Sequence, residues 1–242
     1  MPLERILEPE IMDSPEEAND YDAMDHGEVN RRFVEDLIEA RLKAEGTRRP
    51  VNPVDGSTLS FDRESLQIDV LDLGTGTAQI PIELCRRYPF CRIMAADAAI
   101  SMLEVARYNI EVASLTQRIV LVHVDAKRLP WEEPMFDVVM SNSIVHHIPE
   151  PIHVLREATR VVRKGGLLFF RDLLRPDSEA ELRRLVETYA AGANEHQQRM
   201  FAESLHAALS LDEIRGLIAS LGFAAEGVQP TSDRHWTWSA TA

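Results

Sequence analysis

The 242 residues carry 26 Lys and Arg against 40 Asp and Glu, a formal charge of −14, with 45% apolar and 27% charged residues. That length suits one α/β domain with an added element, or two small domains. The charge repels phosphate backbones, so no nucleic-acid partner is expected. No apolar run approaches the ~18–20 residues that span a bilayer, and the acidic start lacks a signal-peptide pattern, so a cytoplasmic protein without a membrane span is expected. Cys85 and Cys91 form no ligand pattern and read as free thiols.

Residues 1–30 hold ten acids against one base, Arg5, and few apolar residues. Such a segment is expected to be extended or marginally ordered unless something docks on it. From Glu28 to Ala44, Phe33, Leu37, Ile38 and Leu42 recur at helical spacing, with Gly46 as a C-cap. Residues 47–63, with Pro50, Pro53 and Gly56, read as a linker. The division expected is a helical lid over 1–65 and a main domain over 66–242.

The main domain alternates. Strands are expected at Ile68–Leu73, Arg92–Ala96, Ile119–Val124, Phe136–Met140 and Leu167–Arg171, with helices at Gln79–Arg87, Ser101–Ala113 and Ile152–Val162. The run VVRKGG places its bases in the last turn of the third of these helices, facing the negative end of the dipole. A helical insertion over about 176–222 follows: Glu179–Tyr189, a stretch around Glu195–Leu209, and Leu211–Leu221. Ser210 and Glu213 form a capping box for the last, and Gly222 ends it. Two more strands fall near Ala225–Gln229 and His235–Ala240.

The chemistry-bearing signals lie at strand ends. In VLDLGTGTAQIPIEL, residues 70–84, a buried strand ends at Asp72, and Gly74, Thr75 and Gly76 turn the chain into a helix. Glycine suits such a turn because a Cβ penalises positive φ and holds a ligand away from the backbone. A nicotinamide fingerprint would need a third glycine where Gln79 stands. An acid before Gly-x-Gly suits a ligand with an amino acid end, whose ammonium Asp72 would neutralise. Asp97, closing RIMAAD, can accept from both hydroxyls of a ribose. As a loop acid it would instead cap the next helix. Ala98 follows it, and Met102 could cover an adenine face or pack in the core. In HVDAKRLPW, Asp125 can accept from an adenine amine while the Ala126 N–H faces a ring nitrogen. Three carboxylates at the ends of successive parallel strands make a crevice site.

These runs, with FDVVMSNSIVHHI at 136–148 and LREATRVVRKGGLLFF at 155–170, resemble the class I S-adenosylmethionine-dependent methyltransferases. The small-molecule branch, which includes ubiquinone and menaquinone C-methyltransferases, is the nearest in pattern over roughly residues 66–175. The resemblance implies an α/β fold: a Rossmann-like seven-stranded, mostly parallel sheet of order 3-2-1-4-5-7-6, flanked by helices. It implies S-adenosyl-L-methionine as cofactor and S-adenosyl-L-homocysteine as product. Asp72, Gly74 and Gly76 would touch the methionine part, Asp97 the ribose, Asp125 and Ala126 the adenine, and Ser141 and Asn142 the reactive sulfonium. Ala78 stands where the family has its third glycine, and Ala99 where a serine is common.

His146 or His147 could deprotonate an acceptor, or could pack the loop after the fourth strand. Tyr21, Asp25, His26 and Asn30 would belong to the lid. His196, Gln197, Arg199 and His206 either line an acceptor pocket or face solvent. The expected partner is a small-molecule acceptor, and the acidic arm could dock on a second copy as a homodimer. Competing readings are a protein or nucleic-acid methyltransferase, whose Asn-Pro-Pro-Tyr signature is replaced by SNSI at 141–144, and a nicotinamide-dependent reductase or nucleotide-binding module.

Overall fold

The computed structural model describes residues 3–8, 13–24, 26–44 and 67–242. Seven strands form one sheet: β1 (Ile68–Leu73), β2 (Cys91–Asp97), β3 (Ile119–His123), β4 (Phe136–Asn142), β5 (Val162–Leu173), β6 (Val228–Pro230) and β7 (His235–Thr241). Their order is β3-β2-β1-β4-β5-β7-β6, as expected. The first five are parallel, and β7 runs antiparallel between β5 and β6.

Alternation along each strand separates two apolar layers, because successive side chains leave opposite faces of a sheet. Phe169 and Val70 pack on one face, Phe170 and Leu71 on the other. The first face is covered by α2 (Gly27–Ala44), α3 (Gln79–Arg87) and α4 (Ile100–Val112). Phe33 of α2 is fully buried there and meets Phe169 edge-on, ring centroids 5.2 Å apart. The second face carries α5 (Ile152–Val161) and α8 (Leu211–Ser220), with Trp236 and Trp238 of β7 fully buried. Between β5 and α8 lie α6 (Glu179–Tyr189) and α7 (Glu195–Ala207).

The acidic start is more ordered than its composition predicts. Helix α1 (Pro15–Asp22) begins with a reciprocal capping box between Ser14 and Glu17 and buries Ala18 against Ala99 and Met102. Docking on α4 supplies the apolar burial that its own sequence lacks. Gly46 and residues 47–63 lie outside the described residues.

A second difference concerns VVRKGG. Helix α5 ends at Val161, and Arg163 belongs to β5, where it pairs with Asp137 at 2.8 Å and with Asp69 at 3.2 Å. The β4–β5 register shifts between Phe136 and Val138, so the added residues bulge out of the ladder. The ion pairs across three strands, rather than the helix dipole, hold that arginine. Residues Ala225–Gly227 form a 3₁₀ turn ahead of a short β6.

Cys85 and Cys91 are buried, unbridged thiols with sulfurs 3.7 Å apart. The Ser210–Glu213 capping box is present as the sequence suggests. Ser210→Ala is expected to lower stability by about 1 kcal/mol, read as a lower urea midpoint with an unchanged slope.

Candidate active site

Five parallel strands end at one rim, and a cavity of about 140 Å³ opens there. Its walls come from the ends of β1, β2 and β4, the segment after β3, and Tyr21 of α1. At the end of β1 the chain turns with φ of +72° at Gly74 and +53° at Gly76. A Cβ on Gly74 would stand 1.7 Å from Ile144 Cγ2, so this position admits no side chain without moving the post-β4 loop. On Gly76 a Cβ would meet only the Tyr21 ring, at 3.6 Å, which leaves this backbone bordering the cavity. Ala78 keeps the left-handed backbone of a glycine, φ +63°, and is fully buried where α3 begins. Pro81 is tolerated in α3 because it falls in the first turn, where its missing N–H has no helical partner.

Asp97 ends β2 inside the cavity. Its Oδ2 accepts from the Gly76 N–H at 2.8 Å and its Oδ1 from the Ala99 N–H at 2.9 Å. One carboxylate thus joins the glycine turn to the start of α4. Burial raises its pKa, and the Ala99 and Gly76 amides oppose the rise. Asp72 lies in a smaller hollow that shares Tyr21, Gly74 and Asn142 with the main cavity and is also lined by Thr75. Burial pushes the Asp72 carboxyl up to about 7; contact with the Thr75 side chain draws it back, and the Asp97 charge adds to it. A buried carboxyl poised near neutrality is suited to receive a cation.

Asp125 and Ala126 line the same cavity from the adjacent strand end, where the Val124 N–H donates to the Asp97 carbonyl at 2.9 Å, and Ala98, Ala99 and Met102 line it as well. Asp125 is half-exposed and accepts from the Lys127 N–H at 2.9 Å, with the Lys127 ammonium 3.3 Å away. Met102 is at once core and wall: it packs on Ala18 and Ala99 and also lines the cavity. Asn142 faces the cavity. Ser141 does not. Its hydroxyl is buried and donates to the Leu73 carbonyl at 2.9 Å, tying β4 to β1.

Tyr21 packs over the glycine turn, and burial together with Asp97, Asp72 and Asp22 pushes its phenol up to about 12. It therefore remains a neutral donor. Gln79, at the position a nicotinamide fingerprint reserves for glycine, lines the hollow beside Asp72. Its amide donates to Asp22 Oδ1 at 3.0 Å and accepts from Asn30 at 3.2 Å, while Asn109 donates to the same Asp22 oxygen at 2.8 Å. This polar clamp, which fastens α1 and α2 above the cavity, leaves no periodic trace in the sequence. Asn30 belongs to it, and Asp25 lies outside the described residues.

The two histidines occupy a 3₁₀ turn after β4 and differ in setting. His146 is buried, and its Nδ1 is hydrogen-bonded to Asp172 near the end of β5. Burial alone would depress this imidazole, but Asp172 and Glu8 outweigh it and hold its pKa above the ordinary value. Asp172 is held low despite its burial, chiefly by His146. His147 lines the cavity, and its Nδ1 lies 3.0 Å from Glu8. Neither Glu8 nor Asp172 stood out among forty acids until the fold placed them here. His196 and Arg199 are exposed on α7, Gln197 completes that helix's capping box, and His206 lies 3.7 Å from Glu179. None of these four lines the cavity; His196 and Arg199 face solvent, while Gln197 and His206 are partly buried.

With this geometry in view, comparisons with known proteins are specific. Residues 71–170 match the methyltransferase domain family. The chain is 31% identical over 176 residues, 71% of its length, to 27-O-demethylrifamycin SV methyltransferase of Amycolatopsis mediterranei, and covers 60% of that protein. It is 33% identical over 107 residues, 44% of its length, to demethylmenaquinone methyltransferase of Bacillus cereus, covering 45% of it. The chain thus spans less than two thirds of either relative. Among solved structures, it is similar in fold to a plantazolicin methyltransferase in complex with a triazolic desmethylplantazolicin analogue and S-adenosylhomocysteine. That match has a TM-score of 0.63 at 15% identity and covers 89% of this chain and 71% of that one. The methyltransferase-domain match over residues 71–170, the strand order and the rim cavity together agree with the class I S-adenosylmethionine-dependent methyltransferases that the sequence motifs resemble.

Proposed function

We propose that this protein transfers a methyl group from S-adenosylmethionine to a small-molecule acceptor. The observation that carries the reading is the rim arrangement: Asp97 and Asp125 from neighbouring strand ends line one cavity, with Asp72 in a hollow that shares Gly74 with it. The ligand's amino acid end would lie toward Asp72 and Asn142, its ribose on Asp97, and its adenine between Met102 and Asp125 with Ala126. Bound there, S-adenosylmethionine supplies a methyl carbon already activated by its sulfonium. What remains for the protein is alignment and exclusion of water. Tyr21 and α1 are proposed as the lid, held by the Gln79–Asp22 clamp.

Of the two histidines, His147 is the one proposed to take a proton from the acceptor, since it borders the cavity while His146 is buried against Asp172. Such a base suits an acceptor that must lose a proton, a hydroxyl or an acidified carbon. The rifamycin and menaquinone relatives, by their names, fall among small-molecule enzymes, and the net charge of −14 disfavours a nucleic acid. Among the described residues no helix is long and apolar enough to cross a membrane. A cytoplasmic location and a dimer through the acidic arm remain proposals on the same footing.

Equilibrium dialysis against S-adenosylhomocysteine and NADH tests the cofactor: retention of NADH alone would replace this reading with a reductase. A labelled-methyl screen of a metabolite extract then identifies the acceptor. In that assay His147→Asn should lower kcat by about 10²-fold or more while S-adenosylhomocysteine affinity stays unchanged. Equal loss of both would remove the base assignment.

A further inference from the structure

The N-terminal segment of residues 3–8 lies across the turn that bears the two histidines. Arg5 donates to the carbonyls of His146 at 3.1 Å, Ile148 at 3.0 Å and Ala207 at 2.7 Å, and the Ile6 N–H donates to the His206 carbonyl at 3.1 Å. These bonds deliver Glu8 to the histidines. Its Oε1 stands 3.0 Å from His147 Nδ1 and 3.4 Å from His146 Nε2, and the three ligand atoms all lie within 4.8 Å of one another.

Several independent features of this trio belong to metal ligands. Zinc takes nitrogen and carboxylate oxygen at ~2.0–2.1 Å, so two ligand atoms on a tetrahedral ion lie roughly 3.3–3.4 Å apart. The spacings from Glu8 fall close to that edge. Glu8 Oε1 and His147 Nδ1 are both sealed from solvent and lie 3.0 Å apart without well-aligned hydrogen-bond geometry, and the second neighbour of that oxygen is His146 Nε2 at 3.4 Å. Buried polar atoms are rarely left this way. The supporting shell is also present. Asp172 takes the Nδ1 side of His146 and leaves Nε2 toward Glu8, the arrangement in which a carboxylate orients a ligating imidazole. Ser204 donates to the other Glu8 oxygen at 3.1 Å and fixes that carboxylate.

We infer that Glu8, His146 and His147 form a binding site for one divalent transition-metal ion of zinc-like chemistry. Two imidazoles and one carboxylate select such an ion over magnesium or calcium, which prefer all-oxygen shells. The ion would fasten the N-terminal segment to the wall of the cavity, and three protein ligands would leave it at least one position for water or an acceptor oxygen. While it is bound, Nδ1 of His147 is committed to it and the ring proton sits on Nε2, so His147 can serve as the acceptor's base only in the metal-free protein. The inference does not depend on the cofactor assignment, because its ligands lie outside the cofactor's proposed contacts, but it shares His147 with the proposed base.

The test uses the untagged full chain, stripped with chelator and titrated calorimetrically with Zn²⁺ at neutral pH. One ion per chain is expected, with Glu8→Gln and His147→Asn each weakening it at least about tenfold. His153→Asn, which alters an exposed His–Glu pair on another helix, should bind as wild type. Glu8→Gln keeps the size of a largely buried side chain in the N-terminal segment, and its folding is checked by its melting curve. Absence of Zn²⁺ binding by the wild type, or undiminished binding by Glu8→Gln, overturns the site. S-adenosylhomocysteine titrated into the same samples reports the cofactor cavity separately. Failure of zinc with that affinity retained sinks this inference alone, and the reverse sinks only the cofactor reading.

Discussion

Replacing Asp97 by alanine is expected to weaken S-adenosylhomocysteine binding by about a hundredfold or more, measured by calorimetric titration. Two hydrogen bonds from a ribose diol to a charged carboxylate contribute ~1.5–3 kcal/mol each, and alanine removes both. The structure adds a second consequence. Asp97 already accepts from the Gly76 and Ala99 amides, so its loss also leaves two N–H groups without their acceptor. The empty protein should therefore lose on the order of 1–3 kcal/mol of stability. Asp97→Asn separates the effects, since an amide oxygen can still accept from one of the two N–H groups but carries no charge for the ribose. Unchanged affinity in Asp97→Ala would refute the ribose assignment.

A pH series provides the second large effect. With Asp72 raised to about 7 in the empty site, mostly by burial, the carboxyl is substantially protonated at neutral pH and below. An ammonium-bearing ligand favours its ionised form, so binding drives a proton off as pH falls below that value. Affinity for S-adenosylhomocysteine should rise from pH 5 to pH 8, with a loss of up to ~100-fold at the acid end. Calorimetry in buffers of different ionisation enthalpy should detect the released proton. Asp72→Asn should bind weakly and lose this slope.

Stability should run the other way. A carboxyl whose folded pKa lies above its unfolded value of 3.8 contributes stability at low pH that is lost as pH rises through about 7. Asp72→Asn should remove that part of the decline in melting temperature between pH 5 and pH 8. If affinity is flat with pH in the wild type, Asp72 does not meet the ligand's cation.

Much of this was legible before any coordinates. The strand order followed once five motifs in sequence were recognised as one family pattern. The rim position of Asp72, Asp97 and Asp125 followed from strand ends and from the rule that parallel strands deliver their carboxyl ends to one edge. Local signals also held where the physics is local: Ser210 and Glu213 cap α8 because a cap needs only residues three apart. The VVRKGG misreading has the opposite origin. Helical periodicity carried on past Val161, but Asp137 and Asp69 on neighbouring strands recruit Arg163 into the sheet. Those acids are distant in the chain and leave no local mark.

Sequence alone therefore determined the placement that follows from spacing and strand polarity: the glycine turn and three acids at the rim, and the sheet that presents them. Tertiary structure decided which of two polar readings each remaining side chain takes. It turned Ser141 to the Leu73 carbonyl and made Gln79 a clamp on Asp22. It also carried Glu8 across more than a hundred residues to a pair of histidines already braced by Asp172. The reason is physical: a buried polar group is satisfied by whichever partner the packing brings within about 3 Å, and in these cases packing, not neighbourhood in the chain, selects it.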